Sequence, residues 1–437
     1  MFTNYRPISL LPCVSKILER VVHKRLYNFL TTQNLFFQSQ YGFRPKHSTV
    51  HAITEFVFKT LSSFENDKPT LATFLDLSKA FDTIDHSIML DKLSYYGIRG
   101  VALEWFRSYL TNRKQYVSVN ASTSKTMEVN YGVPQGSVLG PLLFIIYTND
   151  LPRVLRSTES ILFADDTTVY ISGDDINTMY SAMNEELDNL SDWFRANKLS
   201  LNVSKTNCVL FNRGNTPIAQ HQQLSIDGKI IECVNHIKFL GIYIDKKLSW
   251  QAHIDHCRKK IASGVYALNM TKRLLSRSNL CTLYYSLINP YLIYGNLLWG
   301  SAYKTHLHKL IVLQKKAVRA ITQSKYNDHS SPLFRQLRIL KCEDIHQCEL
   351  VKFVFLVNNK SLPDPLHNIY NNNSQIHTHR TRQYNDMHIG KTRFDIAFRS
   401  FLHKGPHIWS SLPVEVKEAK TVKSIGSRLK TLIFNDY

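Results

Sequence analysis

The 437-residue chain has no CxxC pair among its seven cysteines, Cys13, Cys208, Cys233, Cys257, Cys281, Cys342 and Cys348. An odd, scattered set excludes a disulfide framework and points to free thiols in a reducing compartment. Long apolar runs are missing too: the longest, LGPLLFIIY at 139–147, is too short to cross a bilayer. The opening MFTNYRPISLLPCVSK lacks both the charged start and the continuous apolar stretch of a secretory signal. These absences predict an intracellular, soluble protein of the cytoplasm or nucleus, with no membrane partner. Acid is scarce in one stretch. Residues 251–330 hold two acidic side chains against twelve Lys and Arg, whereas 1–250 hold 23 against 26 and 331–437 hold 9 against 16. Most of the net charge of +20 therefore lies beyond residue 250. So one-sided a segment reads as a surface for a polyanion, bound by counterion release. Without a lipidation motif or anchoring helix, nucleic acid is favoured over membrane. Lys315, Lys316 and Arg319, within HLHKLIVLQKKAVRAIT, are the expected contacts.

Hydrophobic residues make up 43% and charged residues 20%, a globular composition with enough chain for two or three domains. SKILERVVHKRLYNFL has helical spacing with Ser15 as a cap, and INTMYSAMNEELDNLSDWFRANKL is a long amphipathic helix. TLATFLDL, QYVSV, SKTMEVNYGV, NCVLFN and KFLGIYI read as strands. The interleaving predicts an α+β unit to about residue 250, a basic helical segment over 251–330, and a further domain over 331–437. Asparagine-rich 368–385 reads as a mobile loop, GPHIWSSLP (405–413) as a turn packed by Trp409.

ILFADDTTVY sets Asp165 and Asp166 side by side in an apolar run. A β-hairpin with an Asp-Asp turn would explain them; so would a divalent cation that relieves their repulsion. A third acid, Asp76, ends the apolar run TLATFL, where a helix N-cap is the competing explanation. Three strand-associated carboxylates are what two magnesium ions, about 3.5–4 Å apart, need for an in-line phosphoryl displacement. Cys342, His346 and Cys348 in CEDIHQC, and His253, His256 and Cys257 in HIDHC, lack a fourth ligand at a convincing spacing, so zinc is not expected.

Seven blocks stand in the order found in reverse transcriptases: NYRPISLLPCVSKILERV, QYGFRPKHST, FLDLSKAFDTIDH, GVPQGSVLGPLLFIIYTNDL, FADD, LSLNVSKTNCVLF and IKFLGIYID. The chain resembles those of retrotransposons without long terminal repeats, the jockey-like group in particular. The resemblance implies a right-hand polymerase: incomplete fingers and a palm over 1–250, a helical thumb over 251–330, and a nucleic-acid-associated tail over 331–437. It makes Asp76, Asp165 and Asp166 the ligands of two Mg2+ ions, with Mn2+ able to replace them. Phe81 becomes the bulky residue that excludes a 2′-hydroxyl. Gln135 and Gly136 lie beside the incoming nucleotide, Lys205 near its triphosphate, and Arg44 near primer or triphosphate. The partners implied are an RNA template, a DNA primer or target, and deoxynucleoside triphosphates. No endonuclease or ribonuclease H signature is visible, so nicking would be absent or supplied in trans. A catalytically weak RNA- or DNA-binding remnant and a two-metal phosphodiesterase are the rival expectations.

Overall fold

In the computed structural model, which describes residues 8–437 apart from 121, 215–222, 377–383 and 385, the chain is α+β and gathers into two units. The first takes residues up to 52, 70–210 and 217–234; the second takes 53–69, 211–216 and 235–437. Residues 235–250, ahead of the boundary expected at Trp250, thus belong with the second.

The chain order is α1 (Cys13–Thr32), α2 (Thr49–Glu65), β1 (Thr70–Leu75), α3 (His86–Tyr95), α4 (Val101–Leu110), two short hairpin pairs, and α5 (Gly140–Tyr147). The hairpin strands are β2 (Arg113–Gln115), β3 (Ser118–Val119), β4 (Ser122–Thr123) and β5 (Met127–Val129). Then come β6 (Glu159–Phe163), β7 (Asp166–Ser172), α6 (Ile176–Ala196), β8 (Asn207–Phe211), β9 (Leu224–Ile226) and β10 (Lys229–Cys233). One six-stranded sheet, in the order β6-β7-β1-β8-β10-β9, organises the first unit. Every residue of β1 is buried, as expected of a TLATFL run with β-branched and aromatic side chains between two neighbours. Helix α5 is apolar on all sides and accordingly lies inside the core, with Leu142, Leu143, Phe144, Ile145 and Ile146 at or near zero exposure. Asp85 caps α3 through the Ser87 and Ile88 amides, and Asp175 caps α6 through those of Asn177 and Thr178.

The second unit continues with β11 (His236–Phe239) and β12 (Ile242–Asp245), then α7 (Gln251–Thr271), α8 (Arg277–Leu287), α9 (Asn289–Ile293), α10 (Asn296–Trp299), α11 (Lys304–Thr322), α12 (Ser330–Leu337) and α13 (Cys342–Asn358). Helix α7 packs along α11, with Lys309 paired to Asp255 at 3.0 Å. Cys348, Val351 and Phe355 of α13 form a separate apolar cluster with Ile425, Leu429 and Ile433 of the helix Val422–Asn435.

Local expectations change in several places. KFLGIYI is a hairpin, not one strand: Leu240 and Gly241 both take positive φ (45° and 88°), the turn whose twist suits two-residue hairpins. A second such turn, Asp227-Gly228, joins β9 to β10. GPHIWSSLP is not a turn; residues Phe401–Ser411 form a helix capped by Ser400, with Pro406 inside it. Pro12, not Ser15, sits at the N-cap of α1, and Ser15 Oγ instead donates to Glu19 Oε1 at 3.3 Å. The stretch 368–385 lies partly outside the described residues; within it Asn373–Ile376 make a short helix.

Candidate nucleotidyl-transfer site

Strand pairing alone brings the three acids together. β1 and β7 run antiparallel from Thr70↔Ser172 to Leu75↔Thr167, so one further step sets Asp76 opposite Asp166. β6 pairs with β7 up to Phe163↔Asp166, which leaves Ala164 and Asp165 as the two-residue turn. The tight turn is therefore Ala164-Asp165, with Ala164 at φ +56°, and Asp166 opens the strand. Asp76 is no helix cap; its backbone carbonyl accepts from the Asn202 amide at 2.8 Å. Burial, then the charges of Asp165 and Asp76, push the Asp166 carboxyl up to about 6. Lys205 Nζ stands 3.7 Å from Asp76 Oδ2 on a largely exposed side chain. Among the described residues no three His, Cys, Asp or Glu side chains form a ready-made metal cage. Three carboxylates, two of whose charges raise the proton affinity of Asp166, are nonetheless the oxygen-donor set that a hard divalent ion favours.

Two chain segments hold this turn and the loop near it. Residues 39–42 run beside β6: the Leu162 amide donates to Ser39 O (2.9 Å) and the Tyr41 amide to Leu162 O (2.7 Å). Gln40 Oε1 accepts from the amides of both Gly42 (2.7 Å) and Ala164 (3.2 Å), tying this segment to the Asp-bearing turn. Gly42 is required by contact: a Cβ there would lie 2.3 Å from Ala164 N. The PQG loop is fixed from α1, where the buried Glu19 accepts from the amides of Val138 (2.6 Å) and Leu139 (3.3 Å). Gln135 Nε2 donates to Asp82 Oδ1 at 2.8 Å, and Gly136 takes φ +103°, a conformation that favours glycine. Phe81 is half-buried, its ring 4.6 Å from Phe144 and 6.0 Å, edge-on, from Phe43.

A family model described as reverse transcriptase (RNA-dependent DNA polymerase) matches residues 2–244, more than half of the chain. The chain belongs to that family. Its α+β architecture is that of a right-hand polymerase. It is similar to a probable RNA-directed DNA polymerase from transposon BS of Drosophila melanogaster, at 31% identity over 78% of this chain and 38% of the relative. The RNA-directed DNA polymerase from mobile element jockey of the same organism matches at 31% identity over 81% of this chain and 39% of the relative. The chain thus spans less than two-fifths of the length of these curated relatives. Among solved structures, telomerase from Candida albicans covers 75% of this chain and 59% of its own at 12% identity and a TM-score of 0.41, too distant a likeness to carry an argument.

The other residues singled out in this reverse transcriptase have varied surroundings. The Arg44 guanidinium donates to the carbonyls of Phe37 and Gln40, both at 3.1 Å, and lies over the Phe36 ring, so it braces its own loop. Arg319 likewise donates twice to Asp328 O (3.0 and 2.8 Å), while its neighbour Lys316 is exposed. Cys342, His346 and Cys348 are buried on α13, with His346 Nδ1 bonded to Asn296 O at 2.9 Å. His253 Nδ1 accepts from the Tyr243 amide and its Nε2 lies 3.5 Å from Cys257 Sγ. Burial pushes both histidines down to about 4, so they are neutral packing groups. Gln40, Gly42, Glu19 and Asp82 were not legible as site residues, because each acts on a segment far away in sequence.

Two outcomes follow from this geometry. Gly42→Ala should destabilise the protein by on the order of 1–3 kcal/mol, because the new methyl must displace the Ala164 backbone; thermal melting measures it. The folded state holds the Asp166 proton more tightly than the unfolded chain does, at about 6 against 3.8. The Asp166 contribution to metal-free stability should accordingly fall as pH rises from about 4 to about 6 and stay level above. Asp166→Asn should remove that loss, stabilising the metal-free protein by up to about 3 kcal/mol at pH 7 and by under about 1 kcal/mol at pH 4. Melting curves across that range, with chelator present, check both the sign and the window.

Proposed function

We propose that this chain is an RNA-directed DNA polymerase that extends a primer 3′-hydroxyl with deoxynucleoside triphosphates on an RNA template. The observation that carries the reading is the register setting Asp76 against Asp166 with Asp165 at the adjoining turn, in a chain of the reverse transcriptase family. The family depends on divalent metal, and here Asp76, Asp165 and Asp166 would hold two Mg2+ ions, or Mn2+ in their place. Bound there, such ions would stabilise charge on the attacking and leaving oxygens. Lys205, close to Asp76 and open to solvent, would meet the triphosphate. Phe81 would stand at the sugar, and the backbone at Gln135 and Gly136 would line the nucleotide. Positioning and electrostatics then do most of the work, as in other phosphoryl transfers.

In this reading residues 1–250 supply fingers and palm, 251–330 the thumb, and 331–437 a nucleic-acid-associated tail. The RNA template and DNA primer lie against the basic segment, where Lys315 and Lys316 are the contacts and Arg319 is the helix's own brace. The site of action is inside the cell, in cytoplasm or nucleus. No helix among the described residues is long and apolar enough to cross a membrane.

Primer extension on an RNA template tests the chemistry. Asp76→Asn and Asp165→Asn should each lower the rate on the order of a hundredfold or more while leaving the fold intact; normal rates in magnesium would overturn the assignment. For the basic segment, replacing Lys315 and Lys316 with Ala should weaken binding to all sequences alike. The slope of log affinity against log salt should shrink by up to about 0.9 per lost phosphate contact. An unchanged slope would place the nucleic acid elsewhere.

A further inference from the structure

Asp82 has no role in the reading above, yet it joins two parts of the site. It ends the 3₁₀ turn Ala80–Asp82, directly after Phe81, and its amide donates to Lys79 O at 2.8 Å. The facing loop, 132–136, is stitched to this turn by a row of bonds. Gly132 N donates to Ile84 O (2.7 Å) and Val133 N to Phe81 O (2.9 Å), and His86 Nε2 lies 2.9 Å from Gly132 O. At the end of the row Gln135 Nε2 donates to Asp82 Oδ1 at 2.8 Å. That last link joins two side chains, both only partly buried, and its acceptor is an acid, which makes it stronger than a neutral pair. Beyond it the Gln135 carbonyl is held by the Ser9 amide at 2.9 Å, so the loop has no slack on its other side. The Phe81 ring has Phe144 and Phe43 as aromatic neighbours. The Val133 N–Phe81 O bond holds the backbone of the turn to loop 132–136, and the Asp82–Gln135 bond is the side-chain tie between the two.

We infer that Asp82 is a positioning residue for sugar discrimination: through Gln135 it locks the turn bearing Phe81 to loop 132–136, so the ring cannot withdraw from a ribose 2′-hydroxyl. The inference rests on the polymerase reading and extends it. A clash excludes a wrong substrate only if the clashing group cannot yield, so the bond converts the bulk of Phe81 into selectivity. Loss of the bond leaves the ring in place but allows it to move aside, which admits ribonucleotides while deoxynucleotides still bind.

Single-nucleotide incorporation on an RNA template, with dCTP and CTP, provides the test in the full chain. Asp82→Ala and Gln135→Ala remove the same bond from opposite ends; Gln135 itself stands beside the nucleotide, so the Asp82 variant decides and the Gln135 variant must match it. Each should lower the ratio of kcat/KM for dCTP to that for CTP by on the order of tenfold. The ratio should fall through a lower KM for CTP, with melting temperature a poor guide to it. The double variant should do no more than either single one, because only one bond is lost. Phe81→Val should lower the ratio further, and adding Asp82→Ala to it should change little. The exchanged pair Asp82→Asn with Gln135→Glu, which reverses donor and acceptor, should bring the ratio back toward that of the unmodified chain. If the unmodified chain extends primers and neither single variant moves the ratio, the inference falls while the polymerase reading stands. If the unmodified chain does not extend primers at all, both fall.

Discussion

Asp76 and Asp166 face each other because β1 and β7 pair with a register that cannot slip. A one-residue shift would move every side chain of the wholly buried TLATFL strand to the opposite face and mismatch the packing on both faces of the sheet. The two-sided packing that fixes the strands therefore also fixes the acids at their ends. The cost appears where the charges meet, since Asp166 is half-buried beside two like charges and holds its proton to about pH 6. The repulsion is offset by packing elsewhere in the sheet and stays local, because the pairing that causes it is held by residues deep in the core.

A turn under such strain needs support from outside its own hairpin, and the neighbouring segments supply it through backbone bonds. Gln40 uses one side-chain oxygen to hold the Gly42 and Ala164 amides together, which couples the second sequence block to the Asp-bearing turn. Glu19, almost wholly buried, accepts from two amides at the start of α5 and thus anchors the loop between β5 and α5. A buried carboxylate aimed at the amino end of an apolar helix is well placed, since the free amides and the helix dipole both favour negative charge there. In this way α1, residues 39–42 and the PQG loop become fixed relative to one sheet, and the geometry at the acids depends on all of them.

How much of this is legible in the sequence varies with the range of the interaction. The three acids stand out because each follows an apolar strand, and the long helix α6 because its apolar residues recur at helical spacing. The roles of Gln40 and Glu19 are hidden, because their partners lie 124 and 119 residues away and no local pattern marks them. KFLGIYI conceals a hairpin because Leu240 occupies a positive-φ position where Asn or Asp would have announced a turn. Gly405-Pro406 misleads in the other direction: the pair reads as a break, yet the helix from Phe401 runs through it. His346 and His253, conspicuous beside cysteines, prove to be neutral core groups that bond to nearby backbone.

The basic character of the second unit deserves the same separation of number from availability. Several of its arginines are committed to the protein itself: Arg319 to Asp328 O, Arg399 to Asp395 and Ser301 O, Arg393 to Glu65 and Asp67, Arg428 to Glu415 O. A guanidinium has five donors in a planar fork, so backbone carbonyls and carboxylates capture it readily. Lys259, Lys260 and Lys316 are instead exposed, and a lysine ammonium is a mobile point charge with no preferred planar partner. A surface whose available charge is mainly lysine attracts phosphates without reading base edges, since base readout relies on bidentate groups. That suits a polymerase, which must hold successive positions of a template equally well and leave sequence to base pairing.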